Sequence, residues 1–239
     1  MHRLSGEGDA GFVQGIKVRA PSPNMQNANY TSENICRALG LGGFANDSHL
    51  AKASQAIRLL LTPSFSPEAC ITLCRADNEI TASVVAARSQ IWQQVWPAPK
   101  PTAVDSAIGQ ISAAVFERLA SLLDMAAQPG ASPRITVVLD GMRAHSVLRN
   151  GGEGRINISE NASREGPYAT FVAQTISETW HVIDNLFAKN ALREAGSYVG
   201  LSLPEQDTPP TKTTINTVVL GPEDVAAQVL AALKKHHEG

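Results

Sequence analysis

The chain of 239 residues is short of several things, and each shortage excludes something. No apolar run approaches the roughly 20 residues that a membrane-spanning helix needs, so none is expected. Neither sign of charge dominates, with 20 Lys and Arg against 22 Asp and Glu. That balance argues against broad electrostatic capture of nucleic acid or of an anionic membrane. Cysteines number three, an odd and sparse count that suggests no disulfide framework and fits a reducing compartment. The opening MHRLSGEGDAGFVQG lacks the apolar segment of a signal peptide. The expectation is a soluble, cytoplasmic protein with neither nucleic acid nor membrane as partner.

Catalytic signatures are missing too. There is no G-x-S-x-G, no H-E-x-x-H and no paired C-x-x-C. Cys70 and Cys74 fall in one strand-like run, where a four-residue offset separates them by about 13 Å, too far to bridge. All three cysteines read as structural. The glycines of GLGGF, residues 40–44, follow a short helix rather than a strand and lack a G-K-[ST] ending, so they read as a helix stop and turn, not a phosphate loop. Glu178 and His181 share a helix face, but the second Glu-x-x-His pair of a carboxylate-bridged metal site is absent. Neither a metal nor a cofactor is expected.

What is present is an order of elements. Residues 1–30, rich in Gly, Ser, Asn and Pro, are expected to form a flexible arm, and the remainder, 31–239, one α+β domain. Ser32 caps a short helix that Gly40 stops. Three strand-like runs at 56–62, 69–75 and 79–87 make an antiparallel meander. Ile91, Trp92, Val95 and Trp96 recur at helical spacing ahead of the stiff PAPKP. Ser112 caps a helix over 113–127, and Pro167 opens a longer one with a stripe from Tyr168 to Phe187. Residues 188–212 read as a polar connector that separates the core, 56–187, from a terminal strand and helix, 213–239. The expected architecture is an antiparallel sheet of two meanders with two main helices on one face, plus the terminal strand–helix unit.

The most legible stretch is 134–161. Asp140-Gly141 between two alternating runs signals a two-residue hairpin that would pair Leu139 with Met142, Val137 with Ala144 and Ile135 with Ser146. A second reversal at 150–154 sets Leu148 opposite Ile156 and Ser146 opposite Ile158, on the same apolar face. The other face then carries Arg143, His145, Arg149, Arg155, Asn157 and Ser159, with Val138 and Val147 among them. These six polar residues are the candidate binding site. Arginine forks suit carboxylate or phosphate, and the lack of an aromatic platform points away from RNA and toward an acidic protein surface or a small anion.

The order strands, helix, strands, helix, with LLLTPSFSPEACITLCR ahead of a helix and a late VVLDG hairpin, resembles a pattern of uncharacterised bacterial α+β proteins over residues 56–187. The resemblance implies a compact antiparallel sheet with helices packed on it and brings no activity. Three functions fit. The first is a non-enzymatic cytosolic binding protein of inhibitor or immunity type, acting on a protein with an acidic surface. The second is a hydrolase or transferase acting on an anionic small molecule, with His145 as general base and Arg143 or Arg149 as anion clamp, which requires a concave pocket over that face. The third is a structural subunit assembling through the arm and the terminal helix.

Overall fold

The computed structural model describes residues 31–45, 47–77, 79–91, 101–128, 141–151, 153–161 and 165–205. The expected arm at 1–30, Trp92 and Trp96, the run at 134–139 and the terminal strand and helix lie outside the described residues. Among the described residues six strands, β1 (Gln55–Pro63), β2 (Ala69–Ala76), β3 (Glu79–Ala87), β4 (Val104–Gln110), β5 (Met142–Asn150) and β6 (Glu153–Asn161), form one sheet in the order β4-β3-β2-β1-β5-β6. Every pairing is antiparallel. The fold is therefore α+β, with β1 to β4 as one meander and β5–β6 as a hairpin joined to it through β1.

β1 is central, and all of its residues after Gln55 are buried. That explains its composition: Ile57, Leu59 and Leu61 serve one face, while Ala56 and Leu60 serve the other. On the first face, α3 (Ala113–Ala126), α4 (Pro167–Val182) and α5 (Leu186–Tyr198) cover an apolar core that includes Ile71, Leu73, Val84, Phe116, Leu119, Phe171 and Ile176. Ser112 caps α3 as expected, accepting from the Val115 N–H at 3.3 Å. On the second face lie α1 (Ser32–Ala38), residues 39–45, Asp47 and α2 (Ser48–Lys52).

The expected register of β5 and β6 is present, with Ser146 opposite Ile158 and Leu148 opposite Ile156. The hairpin expected at Asp140-Gly141 requires correction. Its pairing would use an edge of β5 for residues 135–139, but both edges are taken, one by β1 from Met142↔Pro63 to Asn150↔Gln55 and the other by β6. Gly141 is tied instead to Ser64, whose N–H donates to its carbonyl at 2.9 Å. A dipeptide reports local turn preference only. Burying β1 on both faces selects the partner.

Three further differences have local causes. Thr31, not Ser32, caps α1, because its Oγ1 accepts from the Asn34 N–H at 3.2 Å. The long helix from Pro167 ends at Val182, and Asn185 caps α5 by accepting from the Ala188 N–H at 2.9 Å. α5 occupies part of the expected connector; its buried residues, Ala188, Leu192, Ala195 and Gly196, are mostly small and leave little apolar signal. β4 carries no strand signal in its sequence, since Asp105, Ser106, Gly109 and Gln110 are poor strand formers. It is held by its ladder to β3 and by a bidentate pair between Arg88 and Asp105 at 2.8 and 2.9 Å, with the Arg88 guanidinium 5.2 Å from the Phe187 ring of α5.

Gly109 lets α4 approach that strand, because a Cβ there would stand 2.2 Å from the Val182 carbonyl oxygen. The obstacle is backbone rather than a movable side chain. Gly109→Ala is expected to cost about 3 kcal/mol, the upper end for overpacking, in urea denaturation. A variant with an unchanged midpoint would show that the contact does not constrain the packing.

Candidate functional site

The second face of the sheet carries all the exposed candidate residues, and its centre is built around a buried cation. Arg58, on β1 between Thr72 of β2 and Val147 of β5, is 1% exposed. A guanidinium removed from water needs a counter-charge and acceptors for its N–H groups. Nε donates to Thr72 Oγ1 at 3.0 Å, Nη1 to the Gly43 carbonyl at 2.5 Å and Nη2 to Asp47 Oδ2 at 2.9 Å. Burial opposes the charge, but the facing Cys70 sulfur and the Asp47 carboxylate outweigh it, so the guanidinium holds its proton more tightly than usual.

The acceptors come from the segment after α1. Gly40 takes positive φ (76°) and closes the helix, with the Leu41 N–H donating to the Cys36 carbonyl at 2.8 Å and the Gly40 N–H to that of Arg37 at 3.0 Å. The chain then crosses the sheet face. Its Phe44 and Ala45 N–H groups donate to the Glu33 carboxylate at 2.9 and 3.1 Å. Its carbonyls at Gly43 and Ala45 accept from Arg58 and Arg149. Three charged side chains from three elements thus satisfy a buried loop backbone. The first two amides of GLGGF close the helix and the last, with that of Ala45, is engaged by an internal carboxylate, which agrees with a turn rather than a phosphate loop.

The six candidate residues are divided by this arrangement. Arg149 donates to the Ala45 carbonyl and helps hold the loop. His145 is partly buried, with its ring edge-on to Phe44 at 6.2 Å between centroids, and Val147 is buried beside it. Arg143, Asn157 and Ser159 are exposed. Arg155 falls at a β-bulge, where Arg149 pairs with Gly154 while Leu148 keeps Ile156, and its side chain lies outside the described ones. The expectation of an open wet face therefore needs correction at its centre, which the loop covers. The residues that sequence reasoning missed, Arg58, Asp47 and Glu33, left one visible trace: a single Arg inside the apolar run AIRLLLT.

Other groups are placed as follows. Glu178 pairs with Arg118 of α3, and His181 Nδ1 lies 2.7 Å from the Ser177 carbonyl oxygen, so this Glu-x-x-His pair joins helices and caps a turn. Among the described residues no group of three or more His, Cys, Asp or Glu is placed to hold a metal ion, and no helix is long and apolar enough to cross a membrane. An open depression of about 390 Å³ lies at the β2–β3 turn, lined by Cys74, Ala76, Asp77, Glu79 and Thr81, and contains none of the six candidates. No family model, curated protein or solved structure matches the chain.

Asp47→Ala strands the Arg58 charge and is expected to cost about 3–5 kcal/mol in urea denaturation. Replacing both partners, Arg58→Met with Asp47→Leu, should cost less than Asp47→Ala alone. A single-variant loss below about 1 kcal/mol, the range of exposed pairs, would show that the pair does not organise this face.

Burial, and then the charge of Arg143, push the His145 pKa down to about 4. The unfolded value is about 6.5, so between the two the unfolded chain binds more protons and stability falls as pH drops through that window, by on the order of 2 kcal/mol. Above the unfolded value the group adds no pH dependence. His145→Gln should flatten the stability profile there, and identical slopes for variant and parent would refute the placement of His145.

Proposed function

We propose that the chain is a non-enzymatic cytoplasmic binding protein, of inhibitor or immunity type, that docks on an acidic patch of another protein through the exposed flank of β5 and β6. The observation that carries this reading is the grouping of Arg143, Asn157 and Ser159 on one face. Ser159 lies opposite His145, two residues along β5 from Arg143, and Asn157 lies opposite Val147. At strand spacings of about 5 Å, one guanidinium fork and two hydrogen-bonding side chains share a small polar field.

The loop anchored by Glu33, Arg58 and Arg149 borders that field and holds its inner edge. A surface already ordered loses less conformational freedom on binding, and a rim cation chiefly raises the rate and selectivity of encounter with an anionic partner. His145 favours this reading over a general base at the same place: its ring is packed on Phe44, and its lowered pKa leaves it neutral and weakly basic near pH 7.

The test is a double charge reversal, Arg143→Glu with Ser159→Glu, which leaves the Arg149 bond to the loop intact. Partners captured from the native host by the parent chain are to be titrated against both proteins at low and high salt. The expected result is an affinity loss of about tenfold or more at low salt, mostly in the association rate, that shrinks as salt screens the contact. Equal affinity for parent and variant would remove the surface from consideration.

A further inference from the structure

Two of the three cysteines, far apart in sequence, meet on the covered face. Cys36 comes from α1 and is fully buried; Cys70 comes from β2, opposite Leu60 of β1, and is 1% exposed. Both belong to one buried cluster with Ile35, Leu39, Phe44, Leu60 and Val147, and each sulfur shifts the proton affinity of the other. Cys74, four residues along β2, packs apart from them with Leu50, Ala53 and Ala56. α1 and β2 each contribute one cysteine to that cluster.

We propose that Cys36 and Cys70 form a reversible dithiol–disulfide pair which, by exchange with a low-molecular-weight disulfide of the glutathione class, closes a covalent tie between α1 and the centre of the sheet. The Cys70 thiolate attacks one sulfur of the small disulfide, and the S–S bond breaks to release one small thiolate. Cys36 then gives up its proton and attacks the Cys70 sulfur of the mixed disulfide, expelling the second small thiol. The two protein thiols are oxidised, the small disulfide is reduced to two thiols, and the two protons pass to the leaving thiolates.

The surroundings assign the roles. Burial raises the pKa of Cys70, but the hydrogen bond from Cys36 and the Arg58 guanidinium outweigh it and favour the thiolate there. Cys36, as the donor in that bond and itself buried, keeps its proton and is pushed up. Access requires α1 to lift. Its seven residues are joined to β4's approach by a bond from the Thr102 N–H to the Ala38 carbonyl at 3.2 Å and otherwise largely by side chains, as befits a locally opening unit. Once closed, the tie would fix Glu33, and with it the loop amides that Glu33 holds. This inference does not depend on the proposed binding surface.

The full-length reduced chain is to be incubated with glutathione disulfide under native conditions, alkylated, digested without reduction and mapped by mass spectrometry. The expected product carries a peptide linking Cys36 to Cys70, with Cys74 alkylated, and its Tm lies several degrees above that of the reduced chain until dithiothreitol restores the lower value. Cys74→Ser should behave identically. A mixed disulfide confined to Cys74, a linkage formed only in denaturant, or a Tm lower in the linked chain than in the reduced one would each overturn the proposal.

Discussion

The requirement that a buried guanidinium be fully satisfied governs the second face of this sheet. Arg58 stands on the central strand, where neighbours on both sides and a layer above exclude water. Desolvating such an ion is tolerable only if a carboxylate and several acceptors converge on it. Thr72 is supplied by the next strand, but the remaining partners belong to a stretch of chain drawn across the sheet for the purpose. That stretch in turn exposes its own amides and carbonyls to a dry environment, and Glu33 and Arg149 satisfy those. The short α1 is thereby oriented, since Glu33 lies in its first turn.

The two faces consequently differ in kind. One is apolar and closed by α3, α4 and α5, and it depends on area removed from water and on close packing such as that at Gly109. The other is held by directional, charge-assisted bonds around a small apolar cluster. Directional bonds fix a surface more sharply than apolar contact does. The exposed residues at the β5–β6 flank border this centre, and the buried thiols of Cys36 and Cys70 lie within it.

Much of the fold was legible because it follows from period-two alternation and from turn and cap chemistry. The first three strands, α3 with its Ser112 cap, and the register of β5 against β6 all come from patterns confined to neighbouring residues. β4 and α5 were not legible, because their polar and small residues acquire structure from what they pack on: β3 and Arg88 for one, the core beneath Ala188 and Leu192 for the other. The candidate site was legible in part. Alternation correctly sorted Arg143, Asn157 and Ser159 outward, but it treated His145 and Arg149 as their equals, since nothing local records a loop from a hundred residues earlier closing over them.

By itself, then, the order of residues determined the class of the fold, the faces of most strands and the places where helices begin, all through interactions spanning a few positions. Tertiary structure alone decided which strand lies beside β5, which of the basic residues remain exposed, that Arg58 meets Asp47 and that Cys36 and Cys70 share one buried cluster. The physical reason is the same in each case. Pairing partners and burial are settled by competition among distant segments for one sheet, and a buried charge selects its partners from whatever that competition brings within reach.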